Sequence, residues 1–155
     1  MRSDELHPYG TYAELVPDQD TRQMLVKLIE AMGIANPIDP DKIHTTVIYS
    51  KKPCPNAMSF HGAETPYQGR ISGLQRWPTQ AGPTCLVALV ECDEASKLHH
   101  HIMDTYGATY DFPEYTPHFT LSYDCGDGEH ELPNGEHPVK YANLHVKALD
   151  PKWEA

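Results

Sequence analysis

Two stretches, His44-Thr45-Thr46-Val47-Ile48-Tyr49 and His118-Phe119-Thr120-Leu121-Ser122-Tyr123, decide how this chain is read. Each sets a histidine and a threonine two residues apart and runs on into mostly apolar residues. On a β-strand, residues i and i+2 share a face, so each stretch presents an imidazole beside a hydroxyl. One such string alone is weak evidence: in a chain with ten histidines, roughly one His-x-Ser/Thr match is expected by chance.

What lifts the pair above chance is its surroundings. His118 follows His44 by 74 residues (118 − 44), and the same offset carries much of the first half onto the second. A helical pattern over 20–32 lands on 94–106, with Met24, Leu28, Ile29 and Met32 falling on Leu98, Ile102, Met103 and Tyr106. Gly33, a helix stop, falls on Gly107. The strand-like stretch 12–16 falls on 86–90, and Tyr49 on Tyr123. Leu25 breaks the apolar match, landing on His99. Each half therefore reads strand, helix, loop, strand, and the last strand opens with His-x-Thr. A period this long indicates one unit used twice rather than a solenoid.

The expected strands cover 10–16, 42–50, 67–77, 84–91, 118–123 and 139–149, with a long loop over 51–66. Alternating strands and only two helices predict an α+β fold. Two pseudo-symmetric lobes, with antiparallel sheets lining a central cleft and helices packed outside, would form one domain over 1–155. The duplicated units are 10–50 and 84–124. A cleft between the lobes receives one His-x-Thr pair from each side. Two imidazoles there supply a general base and a general acid, because a pKa near 6.5 keeps both forms available at neutral pH. Two threonine hydroxyls supply hydrogen bonds to a tetrahedral anion. His44, Thr46, His118 and Thr120 are thus the candidate catalytic residues for cleaving a phosphodiester without a metal.

Composition narrows the substrate. The formal charge is −10, against a basic face for long nucleic acid, while a small ligand with two or three phosphates still fits a local pocket. No apolar run approaches the roughly 20 residues that cross a membrane. Met1-Arg2-Ser3-Asp4-Glu5 lacks a signal peptide's apolar core. Cys54, Cys85, Cys92 and Cys125 have no CxxC spacing and read as reduced thiols, so a cytoplasmic protein is expected. No cofactor, metal site or obligate protein partner is expected. Three successive helical histidines, His99-His100-His101, point 100° apart, so they cannot share one ion and are read as solvated surface. Asp124 to Glu129 reads as a turn rather than a calcium loop. Tyr12 and Trp77 are candidates for stacking on a base, against ordinary core or rim packing. Trp153 is a third candidate contact, as a lid, or else it docks the C-terminal tail.

The two motifs within a duplicated unit of this size resemble the two-histidine (2H) phosphoesterase superfamily over about residues 10–149. The resemblance is strongest to the phage nucleases that counter CBASS, a bacterial antiviral defence. It rests on His-Thr-Thr at 44, His-Phe-Thr-Leu-Ser at 118, Tyr12 and Trp77. It implies metal-independent cleavage of the 3′–5′ bonds of cyclic di- and trinucleotide messengers by 2′-OH attack, inside the infected host if the chain is phage-encoded. His44, Thr46, His118 and Thr120 match the family's catalytic positions, and Tyr12 and Trp77 its ligand contacts. The same superfamily leaves an alternative: a phosphodiesterase for 2′,5′-oligoadenylate or for 2′,3′-cyclic phosphates of RNA. A sponge that sequesters cyclic nucleotides without cutting them is a third reading, although a sponge has no use for an acid–base pair. Which histidine takes the proton and which gives it stays open.

Overall fold

The two helices are equal in length and 74 residues apart: α1 spans Gln19–Met32 and α2 spans Asp93–Tyr106. The computed structural model describes residues 10–80, 82–109 and 114–149. Asp18 caps α1 by accepting a 2.8 Å hydrogen bond from the Thr21 amide. At the start of α2, Asp93 and Glu94 lie where the helix dipole favours negative charge. Both helices end on a glycine in the left-handed conformation, Gly33 at φ 61° and Gly107 at φ 64°. Leu25, Leu28 and Ile29 of α1 and Ala95 and Ile102 of α2 are buried against the sheet.

Six strands form that sheet: β1 (Thr11–Pro17), β2 (Thr45–Ser50), β3 (Gln68–Pro78), β4 (Thr84–Glu91), β5 (His118–Ser122) and β6 (Pro138–Ala148). Their order is β2-β1-β6-β3-β4-β5, and every pairing is antiparallel. The order is symmetric about its middle. The first unit's β1 and β2 lie beside β6, the strand that follows the second unit, and the second unit's β4 and β5 lie beside β3, the strand that follows the first. Each unit is thus completed by the strand that follows the other. The β6 strand also ties the lobes directly, pairing with β1 over 141–148 and with β3 over 138–140. Although β2 and β5 end the order on opposite sides, they touch one another, so the sheet folds its two ends together.

The core lies on the helix side of the sheet. Ala13, Leu15, Val47 and Ile48 from one lobe and Leu86, Ala88, Phe119 and Leu121 from the other meet there. At the join, Thr45 Oγ1 lies 2.6 Å from the Tyr141 hydroxyl and the Phe119 ring is tilted against Tyr141 at 5.7 Å. Cys92 is buried as a small hydrophobe, and the described cysteines are free thiols.

The α+β expectation is borne out, with three local differences. Strand β2 starts at Thr45 rather than at 42, because Pro40–Lys42 winds into a 3-10 turn whose Asp41 amide is held by the Asp39 carboxylate at 3.0 Å. The loop over 51–66 contains a 3-10 helix, Pro55–Phe60. The offset of 74 holds for the helices and for β2 and β5, but falls to 73 between β1 and β4. Glu14 pairs with Thr46, whereas Val87 pairs with Thr120. Cys85 and Val87, rather than Leu86 and Ala88, are therefore the counterparts of Tyr12 and Glu14.

Candidate active site

Each motif histidine is fixed by the carbonyl two residues before it. His44 Nδ1 lies 2.7 Å from the Lys42 oxygen and His118 Nδ1 lies 2.8 Å from the Thr116 oxygen. A carbonyl only accepts, so Nδ1 carries the hydrogen in both rings. Each Nε2 is then left for chemistry, with a lone pair when the ring is neutral and a proton when it is charged.

Both edge strands carry a bulge behind the threonine. The register shifts between Ala13 and Glu14 opposite β2, and between Leu86 and Val87 opposite β5. Val47 and Leu121 turn into the core at 0% and 1% exposure. Thr46 and Tyr49, three residues apart, consequently share the face opposite the core, as do Thr120 and Tyr123. The Tyr49 ring meets Tyr12 edge-on at 6.4 Å; burial raises the Tyr123 phenol pKa, and the neighbouring Thr120 opposes the rise. The repeat of Tyr49 in Tyr123 was visible in the sequence; its place in the site depends on the bulge and was not.

The first lobe adds a polar chain. Tyr12 donates to Glu14 Oε2 at 3.0 Å, and the Tyr12 and Thr46 hydroxyls are 3.0 Å apart. With the single Tyr12 proton on the carboxylate, the Thr46 hydroxyl donates to the Tyr12 oxygen. Burial, reinforced by Glu14, holds the Tyr12 phenol protonated far above its ordinary range. Glu14 Oε2 is also 3.7 Å from His44 Nε2, close enough to pair with an imidazolium. Lys147, opposite Tyr12 in the register of β6, places its ammonium 5.4 Å from the Tyr12 ring centre. Sequence reading missed Glu14 and Lys147. The signal for Glu14 was its i+2 spacing from Tyr12 on one strand; Lys147 had none, since β6 follows the other unit.

The second lobe pairs its histidine with an indole. The Trp77 ring stands edge-on to His118 at 4.4 Å, held by its Nε1–H donating to Gln75 Oε1 at 2.8 Å. Burial lowers the His118 pKa below the usual imidazole value; its bond to Thr116 opposes this, and the facing charge of His44 adds to it. The strands that carry the two imidazoles, β2 and β5, touch one another. Tyr12, His44 and Thr46 thus stand together in one lobe, and Trp77 stands against His118 in the other. Trp153 lies outside the described residues. The reading of His99-His100-His101 as solvated surface is corrected for one member: His99 is 3% exposed, and its Nδ1 lies 2.7 Å from the Val47 oxygen, while His100 and His101 are exposed. A periodic reading assigned it outward because it is polar, whereas it occupies the buried position of Leu25 in the other helix.

Comparison with known proteins places this geometry. A family model described as Anti-CBASS protein Acb1 matches residues 9–155. The Anti-CBASS protein Acb1 of Vibrio phage KVP40 is 36% identical over 150 residues, covering 97% of this chain and 94% of its own. That of Enterobacteria phage T4 is 35% identical over 117 residues, covering 76% of this chain and 74% of its own. Among solved structures, E. coli LigT complexed with ATP superposes with a TM-score of 0.59 at 11% identity, over 89% of this chain and 85% of that one, a likeness of fold. The match of nearly the whole chain, on a two-lobed sheet that sets one His-x-Thr pair in each lobe, makes this protein a member of the Acb1 anti-CBASS family with the fold of the 2H phosphoesterases.

Proposed function

We propose that the chain is a metal-independent phosphodiesterase that opens 3′–5′ bonds of cyclic di- and trinucleotide messengers. It would act in the cytoplasm of an infected bacterium and remove the signal on which the antiviral response depends. The observation that carries this reading is the pair of imidazoles, each tied at Nδ1 to a backbone carbonyl, with a threonine hydroxyl beside each.

His118 is the base. Its burial keeps it neutral at pH 7, and its Nε2 takes the proton of a ribose 2′-OH. The 2′ oxygen bonds to the adjacent phosphorus and the P–O5′ bond breaks. His44, charged and paired with Glu14, gives its proton to the departing O5′. Thr46 and Thr120 donate to the non-bridging oxygens, Thr46 turning its hydrogen away from the Tyr12 oxygen as charge builds on the phosphoryl group. The first product ends in a 2′,3′-cyclic phosphate; attack by water with the two histidines exchanging roles would open it. Trp77 stacks a base beside His118, and Tyr12, whose ring is 1% exposed, acts beside His44 through its hydroxyl on Thr46 rather than by stacking. Trp153 remains a third candidate contact. A net charge of −10 restricts the ligand to short oligonucleotides.

The test is incubation with cyclic GMP–AMP, cyclic tri-adenylate, 2′,5′-oligoadenylate and an RNA ending in a 2′,3′-cyclic phosphate, all in excess EDTA, resolved by mass spectrometry. Ring-opened cyclic nucleotides bearing 2′,3′-cyclic phosphate ends are expected. Cleavage of the linear substrates alone assigns the chain to the alternative superfamily chemistry. Tight binding followed by recovery of intact ring assigns it to sequestration.

A further inference from the structure

At one buried helical position of the repeat a histidine stands where the first helix has leucine, and it does not face solvent. His99 of α2 stacks flat on Tyr115, with ring centres 4.1 Å apart and planes 8° apart. Its Nδ1–H donates to the Val47 carbonyl at 2.7 Å. The Tyr115 hydroxyl donates to the Thr46 carbonyl at 2.7 Å. Neighbouring carbonyls of a regular strand point to opposite sides, so one stacked pair could not hold both. The bulge at this point of β2 lets it do so.

The other end of this pair is the second motif. Tyr115 is three residues before His118. Between them, Thr116 supplies the carbonyl that holds His118 Nδ1, and the Pro117 carbonyl accepts from the Val90 amide of β4 at 2.9 Å. The contrast with the second lobe is informative. There the carbonyl equivalent to that of Val47 belongs to Leu121, and it accepts from the backbone amide of Ile38 at 2.8 Å. One lobe fixes its bulge with backbone, the other with two side chains.

We propose that His99 and Tyr115 are positioning residues: they clamp the Thr46–Val47 bulge to the loop that carries His118, and so place the Thr46 hydroxyl against the phosphoryl group. The inference rests on the phosphodiesterase reading for its catalytic consequence only. The variants are Tyr115→Phe, which removes one oxygen, His99→Leu, which copies the first helix, and His99→Asn, whose amide keeps a donor near the Nδ1 position. Each is made alone and in Thr46→Val and Thr120→Val backgrounds. Tyr115→Phe and His99→Leu should each lower kcat about tenfold with KM little changed, since small misplacements at a reacting centre cost rate rather than affinity. His99→Asn should recover most of the loss. The losses should vanish on Thr46→Val and persist on Thr120→Val. Equal losses in both backgrounds, or His99→Asn no better than His99→Leu, would overturn the proposal in favour of simple structural support. Carbonyl-carbon NMR shifts read the clamp without substrate: Thr46 should move in Tyr115→Phe and Val47 in His99→Leu, with Leu121 still in both. Unmoved Thr46 and Val47 shifts would also overturn it. If the wild-type protein cuts nothing, the phosphodiesterase reading fails, and the clamp is judged on these shifts.

Discussion

At the scale of single residues, the two lobes offer the same imidazole in different surroundings. His118 is half-buried with the Trp77 ring against it, while His44 faces the Glu14 carboxylate. On the proposed reading, that asymmetry makes His118 the base and His44 the acid, a choice that two identical strings could not offer. It also fixes a sign. A base whose pKa is lowered stays neutral to lower pH, so the acid limb of the kcat/KM profile should lie below the ordinary histidine value of about 6.5. Trp77→Ala admits water to the ring, weakens the desolvation that causes the shift, and should move that limb upward; a limb that stays or moves down contradicts this origin. Thr46→Val, which keeps the shape and removes the hydroxyl, should lower kcat by about 10²–10³ with the fold intact, as loss of one oxyanion donor does elsewhere. A change below threefold would mean that Thr46 serves Tyr12 and not the phosphoryl group.

At the scale of elements, the sequence announced more than usual. Two helices with matching apolar positions, two terminal glycines and two His-x-Thr strands all stood 74 residues apart, and all are found. The bulges were not legible. A bulge shows in the sequence only as an apolar alternation that fails to alternate, and Val47-Ile48 and Leu121-Ser122 each read equally well as an ordinary buried run. Its consequences, Tyr49 and Tyr123 on the cleft face and the one-residue slip of β4, were hidden with it. The burial of His99 was hidden because polarity is a poor guide where a side chain satisfies a backbone group. The helix stops yield a stability test. Gly33 has open space where a Cβ would go, so Gly33→Ala suffers only the strain of φ 61°. It should cost about 1 kcal/mol in urea unfolding and leave turnover unchanged. A neutral or stabilising substitution would show that the left-handed stop is relaxed by fraying.

At the scale of the whole molecule, the exchange of β3 and β6 between units makes the lobes inseparable, and it brings Lys147 of the last strand to Tyr12 of the first. Neither strand carried the repeat's motif, so the exchange could not be read from the chain: strand pairing between distant segments leaves no local pattern. The join between lobes is packed with aromatic rings. Phe119→Ala, beside the catalytic strand pair and 0% exposed, should cost about 3–5 kcal/mol by the cavity it leaves. Both lobes should melt in one transition, measured by circular dichroism and tryptophan fluorescence together, and separated transitions would contradict a shared core.

On the proposed reading, two histidines from two lobes act as a unit on one phosphodiester. Single-turnover cleavage of cyclic GMP–AMP in EDTA tests it, using wild-type protein, His44→Ala, His118→Ala and the double variant. Each single substitution should lower the rate by about 10²–10⁴, and the double should fall little further, because a proton taken on one side is useless without a proton given on the other. Turnover near wild type in either single variant would contradict paired action of the two histidines.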